Sequence, residues 1–320
     1  VADNHSLTPE EVAEILKIKK HTVYELVKRG ELPAFRIGRK IRINPQDVEN
    51  FRLRRGGAAF PAPAQESGPE TGVMQYQVTG ERKVDKDILV ITGMDVILDV
   101  LARHLKTGQQ PLQVYRDHRE SFAGLLAVYS GQSDAAGIHL WDADTNTYNV
   151  PFVRRLMPGM PAVIVHLAKR RQGFYVHSGN PRNITKWEDL GRAEIRFINR
   201  EPGCGTRVLL DEKLRQLGIS HQTVNGYREY ETSHLAVASA VARGVADFGL
   251  GNEKAAMQVR GIDFVPLQTE DYELVIRHED INKASVVRML DVLNSPAFKD
   301  EVQGLGDYDL SLTGQITART

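Results

Sequence analysis

The sequence predicts an α/β protein in two parts: a small, mostly helical N-terminal module with a two-stranded hairpin, and a larger two-lobed α/β domain. Three observations carry this expectation. Helical apolar spacing, followed by alternation about a glycine, fills residues 1–54 from Thr8 onward. A stretch rich in Gly, Ala, Pro, Ser and Glu begins at Arg55 and gives a linker over residues 55–84. From Ile88, short apolar runs alternate with helical patterns, which signals a mostly parallel sheet with helices on both faces. Residues 85–320 are many for one such sheet, so two lobes are expected.

Composition narrows the function classes. The chain has 320 residues, 41% apolar and 26% charged, which excludes a disordered or collagen-like protein. Its 41 Lys and Arg balance 41 Asp and Glu, so no polybasic coat covers the whole molecule. The balance is local, however. The first 55 residues hold 12 of the basic and 8 of the acidic groups. Between Ile15 and Ile43, Lys17, Lys19, Lys20, Lys28, Arg29, Arg36, Arg39, Lys40 and Arg42 are opposed only by Glu25 and Glu31. Such a patch is the electrostatic footprint of a polyanion binder, with a merely solvated face as the plainer alternative. Cys204 is the single cysteine, so an internal disulfide and a Cys-rich zinc site are excluded. The polar start lacks the apolar core of a secretory leader. The apolar run Leu156–Ala168 is short and broken by Pro158, Gly159 and Pro161, so no membrane span and a cytoplasmic location are expected.

In the N-terminal module, Thr8-Pro9-Glu10-Glu11 is a helix start: Thr8 caps, Pro9 takes the first helical position and Glu11 completes a capping box. Val12, Ile15 and Leu16 then share one face. A second helix from His21 or Thr22 to Arg29 buries Val23, Leu26 and Val27 and ends at Gly30. Phe35–Ile37 and Lys40–Ile43 alternate about Gly38-Arg39 as a hairpin, and Asn44-Pro45 starts a third helix with Val48, Phe51 and Leu53. This order makes a winged helix-turn-helix. The segment HTVYELVKRGELPAFRIGRKIRI, within residues 7–51, resembles the excisionase-type helix-turn-helix family. The resemblance implies double-stranded DNA as partner. It places Lys19, Lys20, His21, Thr22 and Tyr24 on or at the entrance of the recognition helix. It places Arg36, Arg39, Lys40 and Arg42 on the wing, against phosphates or the minor groove. Tyr24 could equally pack rather than read bases. A single module makes few contacts, so a homodimer or higher homo-oligomer on paired half-sites is expected.

In the C-terminal part, strands are expected at Ile88–Thr92, Leu112–Tyr115, Ala135–Leu140, Ala162–Leu167, Ile195–Asn199, Ala246–Leu250, Phe264–Leu267 and Leu274–Ile276. The clearest helices are Asp95–Leu105, Phe122–Ser130, Thr206–Leu217, His234–Ala242 and Val286–Leu293. Four strand-to-helix turns stand out. They are Thr92-Gly93-Met94-Asp95, RDHRESFAG with Ser121 as its expected cap, NREPGCGTR with Gly203-Cys204-Gly205-Thr206 at a helix start, and Glu231-Thr232-Ser233-His234. Each offers free backbone N–H groups, and converging they would form an anion nest that works by dipoles rather than full countercharges. The glycines of PGCGTR could also only relieve a tight turn. No GK[ST] or G-x-G-x-x-G follows, which disfavours a nucleotide.

The segments NREPGCGTRVLLDEKL, ETSHLAVASAVARGVADFGLG and GQSDAAGIHL together resemble the bacterial periplasmic-binding-protein-like domain found behind such a helix-turn-helix and described as molybdate-binding. The resemblance covers about residues 85–317. It implies two lobes of type II topology, lobe I at about 85–185 and 268–320 and lobe II at about 186–267. It also implies crossovers near Gly173–Trp187 and Pro266–Leu274, and a small oxyanion, molybdate or tungstate, in the cleft. The corresponding site residues are Thr92, Gly93, Ser121, Arg200, Gly203, Cys204, Gly205, Thr206, Arg207, Thr232, Ser233 and Tyr272. The family pattern reads GSGTR where this chain has Cys204, so one hydroxyl donor is replaced by a weaker thiol. A donor-only site would favour fully deprotonated molybdate or tungstate over protonated phosphate.

These observations give a one-component transcriptional regulator in which cleft closure changes the arrangement of a dimer. No cofactor, metal or catalytic residue is expected. Two alternatives stand beside it: the same architecture sensing sulfate, a sulfur species or an organic carboxylate, and an enzyme using Cys204 as nucleophile. His139, His166, His177 and His234 share no ligand spacing on one element, and His234 is expected to hydrogen-bond at its helix start. Asp247 sits in an ADFG segment without the rest of a kinase signature. Arg200 and Arg207 could meet ligand or pair with Glu201 and Asp211.

Overall fold

The computed structural model describes residues 7–28, 32–37, 40–45, 47–48, 51, 88–107, 111–306 and 308–320. The chain divides into two compact units, Val1–Tyr76 and Gln77–Thr320. The expected linker, with Arg29, Gly30 and Arg39, lies outside the described residues.

In the first unit, helix α1 (Pro9–Leu16) opens as its sequence dictates. The Glu11 amide donates to Thr8 Oγ1 at 3.3 Å, and the Thr8 amide donates to Glu11 Oε2 at 2.7 Å. The helix stops at Lys17, which takes the left-handed conformation. A short turn leads to α2 (Lys20–Lys28), and strands β1 (Phe35–Ile37) and β2 (Lys40–Arg42) form the antiparallel hairpin. Pro45, Asp47, Val48 and Phe51 are helical, as expected for a third helix. Val12, Val23, Leu26, Leu32, Ile43 and Val48 bury together, and a bridge between Leu7 and Ile43 ties the chain entry to the hairpin.

The second unit is built on one continuous nine-stranded sheet. Strand β3 (Ile88–Thr92) leads to α3 (Val96–Thr107), β4 (Gln113–Asp117) to α4 (Ser121–Tyr129), and β5 (Ala135–Ile138) to the hairpin β6 (Trp141–Asp142) and β7 (Thr147–Tyr148). After α5 (Val150–Leu156), the 16-residue strand β8 (Ala162–His177) runs from one lobe into the other. Lobe II continues with β9 (Phe197–Arg200), α6 (Gly205–Leu217), β10 (Tyr230–Glu231), α7 (His234–Ala242), β11 (Phe248–Asn252) and α8 (Glu253–Ala256). Strand β12 (Ile262–Arg277), also 16 residues, returns to lobe I, followed by α9 (Ala284–Asn294), α10 (Pro296–Gly304) and β13 (Ile316–Arg319). The sheet order is β10-β9-β11-β8-β12-β5-β3-β4, with β13 alongside β8.

The sheet is parallel only within each lobe, across β4-β3-β5 and β10-β9-β11; β8 and β12 are antiparallel to each other. This corrects the mostly parallel expectation. The expected strands at 264–267 and 274–276 are parts of the two ends of β12, and Ala162–Leu167 is only the first stretch of the 16-residue β8. The reason is chemical. Both long strands carry a polar tetrad between their apolar ends, Lys169-Arg170-Arg171-Gln172 and Gln268-Thr269-Glu270-Asp271, and the interruption reads as a strand end. In register, Arg170 faces Glu270 and Lys169 faces Asp271. The crossing therefore lies at this tetrad, before the first expected crossover, and Phe174, Tyr175 and Val176 already pack in the cores of lobe II. Trp141 and Tyr148 pack there too, although their hairpin follows lobe I strands in sequence.

Each face of each lobe has its own core: Ile91, Leu101 and Met289 on one face of lobe I, Leu125, Ile138 and Ile164 on the other. In lobe II, Phe197, Leu210 and Phe248 oppose Val237, Val241 and Tyr175. These cores hold the helix starts in place at the strand ends.

Candidate functional site

A cavity of about 410 Å³ lies between the lobes of the second unit. Three helix starts reach its wall: Met94–Val96 of α3, Glu120 and Ser121 of α4, and Ser233–Leu235 of α7. The first turn of a helix has no internal acceptors for its N–H groups and carries the positive end of the dipole, so these tips favour negative charge. The wall also receives Arg170 from β8, Tyr272 from β12, His139 beyond β5, Arg200 at the end of β9, and Asn252 and Lys254 from the cap and first turn of the four-residue α8. Met94, Val96 and Leu235 add an exposed apolar part.

Full charges are present, contrary to the dipole-only expectation, and most are paired within the chain. The Arg170 guanidinium is 6% exposed, bonds the carboxylates of Asp95 and Glu270, and lies 4.3 Å above the Tyr272 ring. Asp95 also accepts from the Ile97 amide at 2.8 Å and the Tyr308 hydroxyl at 2.6 Å. Glu270 accepts from Gln172 Nε2 at 2.9 Å and lies 2.9 Å from His139 Nδ1. Burial alone would raise the Glu270 carboxyl, but Arg170 and His139 outweigh it and hold it down at about 2.

Arg200 is 2% exposed. Its Nε donates to Glu201 at 2.7 Å, and its Nη2 donates to Glu120 at 2.7 Å and to Glu201 at 3.0 Å. Burial, only partly offset by Arg200, raises the Glu120 carboxyl above its usual range. The two arginine questions left open by the sequence resolve differently. Arg207 pairs with Asp211 at 3.2 Å, donates to the Arg200 carbonyl at 3.1 Å and stacks 4.0 Å from the Tyr227 ring, so it braces lobe II. Arg200 also pairs with acid, yet it remains in the cavity wall.

Of the twelve residues expected at the site, the structure brings Ser121, Arg200, Ser233 and Tyr272 into the wall. The other eight stand elsewhere. Thr92 is buried and donates to Ser133 Oγ at 2.8 Å, and Gly93, at φ 141°, turns its N–H to the Asp117 carbonyl at 3.0 Å. The turn Gly203-Cys204-Gly205-Thr206 is covered by lobe I. The Phe122 amide donates to the Gly203 carbonyl at 3.2 Å, and a Cβ on Gly205 would stand 2.6 Å from the His139 ring. Thr206 is buried with its hydroxyl unpartnered, and Thr232 is exposed outside the wall. Burial pushes the Cys204 thiol up to about 12, which removes the thiolate that a nucleophile needs.

Two further expectations change. Glu120, not Ser121, is the N-cap of α4, and its side chain makes no cap bond; Ser121 Oγ instead accepts from the His139 amide at 3.3 Å. His234 does not hydrogen-bond through Nδ1, which is buried without a partner, as is the Tyr272 hydroxyl. Burial, with Arg200 and Arg170 adding to it, holds the His234 imidazole well below its ordinary value and hence neutral. With Asp95 and Glu120 in its wall, the cavity is not a donor-only site. Sequence reasoning missed Asp95, Glu120, Arg170 and Lys254. The signal for Arg170 was the complementary pair of polar tetrads; that for Glu120 was an acid at the start of a helix otherwise without acid in its first turn.

In the first unit, α2 buries Val23 and Leu26, while Lys20, His21 and Tyr24 are exposed, as is Lys19 just before it. Thr22 is half-buried, and Lys20 pairs with Glu10 and lies 5.9 Å from the Tyr24 ring centroid. Tyr24 is 41% exposed. Arg36, Lys40 and Arg42 lie on the hairpin strands. No helix among the described residues is long and apolar enough to cross a membrane.

Comparison with known proteins follows this division. A helix-turn-helix domain model matches residues 6–56, and a PBP superfamily domain model matches residues 102–294, more than half of the chain. The uncharacterized protein YvgK of Bacillus subtilis is 39% identical over 99% of both chains. An uncharacterized protein encoded in the 5′ region of a 2Fe-2S ferredoxin gene of Clostridium pasteurianum is 55% identical over 34% of this chain and 96% of its own. A crystal structure from Clostridium perfringens, assigned as a phosphate ABC transporter substrate-binding protein with bound phosphate, superposes with a TM-score of 0.52 at 17% identity. The match covers 69% of this chain and 98% of that one, and it supports the fold alone. The chain belongs to the PBP superfamily domain family, and it carries a helix-turn-helix DNA-binding domain at its N-terminal end.

Proposed function

We propose that the protein is a one-component transcriptional regulator that binds double-stranded DNA through α2 and the hairpin and senses a small anion in the cleft of the second unit. The observation that carries the reading is the convergence of three helix starts with Arg200 around one cavity between two lobes. Helix tips and a guanidinium together make a small anion the expected guest. Molybdate or tungstate is the first candidate. Regulation requires that the anion favour one arrangement of a homodimer or higher homo-oligomer, and so one spacing of the DNA modules. The protein is read as cytoplasmic and as binding rather than transforming its ligand, since the buried Cys204 thiol supports no nucleophile.

A second reading is an organic carboxylate. The 410 Å³ volume favours it, being in the range of pockets that hold organic ligands, as does the apolar part formed by Met94, Val96 and Leu235. Competition calorimetry on the full chain with molybdate, tungstate, sulfate and a carboxylate panel separates the two. A preference of about 1000-fold for molybdate and tungstate supports the first reading, and tight binding of a carboxylate alone supports the second. Anion binding that survives intact in Arg200→Ala would refute the site.

A further inference from the structure

The wall of an anion site should not offer carboxylates to its guest, yet Glu120 stands there on the guanidinium best placed to receive one. Three cations line the cavity. Arg170 is held by Asp95 and Glu270, and Lys254 donates to the Leu305 carbonyl at 3.2 Å. Arg200 is held from both lobes: Glu201 is its own chain neighbour, whereas Glu120 reaches it from lobe I, 80 residues away in sequence. Glu120 does not use its side chain to cap α4, although it occupies the capping position. Beside this pair, the Phe122 amide meets the Gly203 carbonyl at 3.2 Å, again from lobe to lobe.

We infer that Glu120 is an internal competitor for the ligand: its carboxylate occupies the place of an anion on Arg200, joins the lobes in the empty protein, and must be displaced when an anion binds. The inference rests on reading the cleft as an anion site. A guest that takes the Nη2 donor from Glu120 also repels its negative charge, because few mobile ions screen charges a few ångströms apart behind a low-dielectric wall. Binding and release of the Glu120–Arg200 bridge are therefore one event, and occupancy is transmitted to the contact between lobes. Glu120 also sets specificity. A guest that carries a hydrogen-bond donor can keep Glu120 beside it, whereas a fully deprotonated oxyanion must drive it away.

The test compares the full chain with Glu120→Gln, which keeps the side-chain shape and removes the charge. Calorimetry with molybdate, sulfate and benzoate as probes is expected to show the bound probe held about tenfold more tightly by the variant, as for one charge-assisted hydrogen bond no longer in competition. Equal or weaker binding by the variant overturns the competition while leaving the anion site standing. No binding of any probe to either protein overturns the anion reading and the competition with it. Hydrogen exchange in the absence of any anion is the second measurement. Amides over 120–124 and 203–207 should exchange severalfold faster in Glu120→Gln, with α9 unchanged as the control for folding. Unchanged exchange in those two segments overturns the bridge between lobes.

Discussion

Replacing Glu270 by glutamine tests whether the polar tetrads join the lobes or only interrupt the strands. Glu270 is fully buried in β12, directly opposite Arg170 of β8, and it also meets His139 and Gln172. Its carboxyl is held at about 2 against an ordinary 4.5. A carboxyl more acidic in the native state stabilises it whenever the group is ionised, here by about 3 kcal/mol at neutral pH. Loss of one partner of a buried ion pair costs about 3–5 kcal/mol by an independent route, since Arg170 is left with Asp95 as its one remaining carboxylate. For a unit of this size the melting temperature should fall by roughly 6–12 °C at pH 7, read by circular dichroism. The sign of the pH dependence follows. The stabilisation is complete above the unfolded value of 4.5 and is lost as pH falls toward 2. The gap between parent and variant should therefore narrow from pH 5 to pH 3. A melting temperature within about 2 °C of the parent at pH 7, or a gap that does not change with pH, would show that the Glu270 carboxylate does not hold the two long strands together.

Three other outcomes are expected. Cys204 should resist iodoacetamide at pH 8 in the native protein and react once the chain is unfolded in guanidinium, because its thiol is buried and raised to about 12; rapid native labelling would contradict this. Gly205→Val should lower the melting temperature by several degrees and loosen the lobes, as its side chain would enter the space of the His139 ring, 2.6 Å from a Cβ at that position. Lys19→Ala, exposed at the entrance to α2, should weaken binding uniformly across DNA sequences and reduce the slope of log affinity against log salt by about 1, as for a phosphate contact; an unchanged slope would place Lys19 off the DNA.

What the sequence disclosed was mostly local. The capping box at Thr8 and Glu11 is written within four residues, so its pattern alone identifies the helix start. Ile88–Thr92 and His234–Ala242 have the bounds expected from their apolar patterns. The site was legible only as a set of strand-to-helix turns. Which of them face the cavity depends on how the lobes meet. Gly203–Thr206 carries the most conspicuous motif, yet it is covered by Phe122 and His139 from lobe I. Thr92 satisfies its hydroxyl on Ser133, a partner 41 residues away. Arg170 and Glu270 lie 100 residues apart and become a pair only through the register of β8 and β12, a register that no local periodicity encodes.

The most direct test of ligand-controlled DNA binding is fluorescence anisotropy with the full chain, using a DNA duplex that the protein itself has selected from a random-sequence library. The affinity is measured with and without saturating molybdate, or whichever anion calorimetry shows to bind, for the parent and for Arg200→Ala. An anion-dependent change in DNA affinity of about 5- to 150-fold is expected in the parent and none in Arg200→Ala. An identical DNA affinity in the parent with the cleft empty and filled would contradict it.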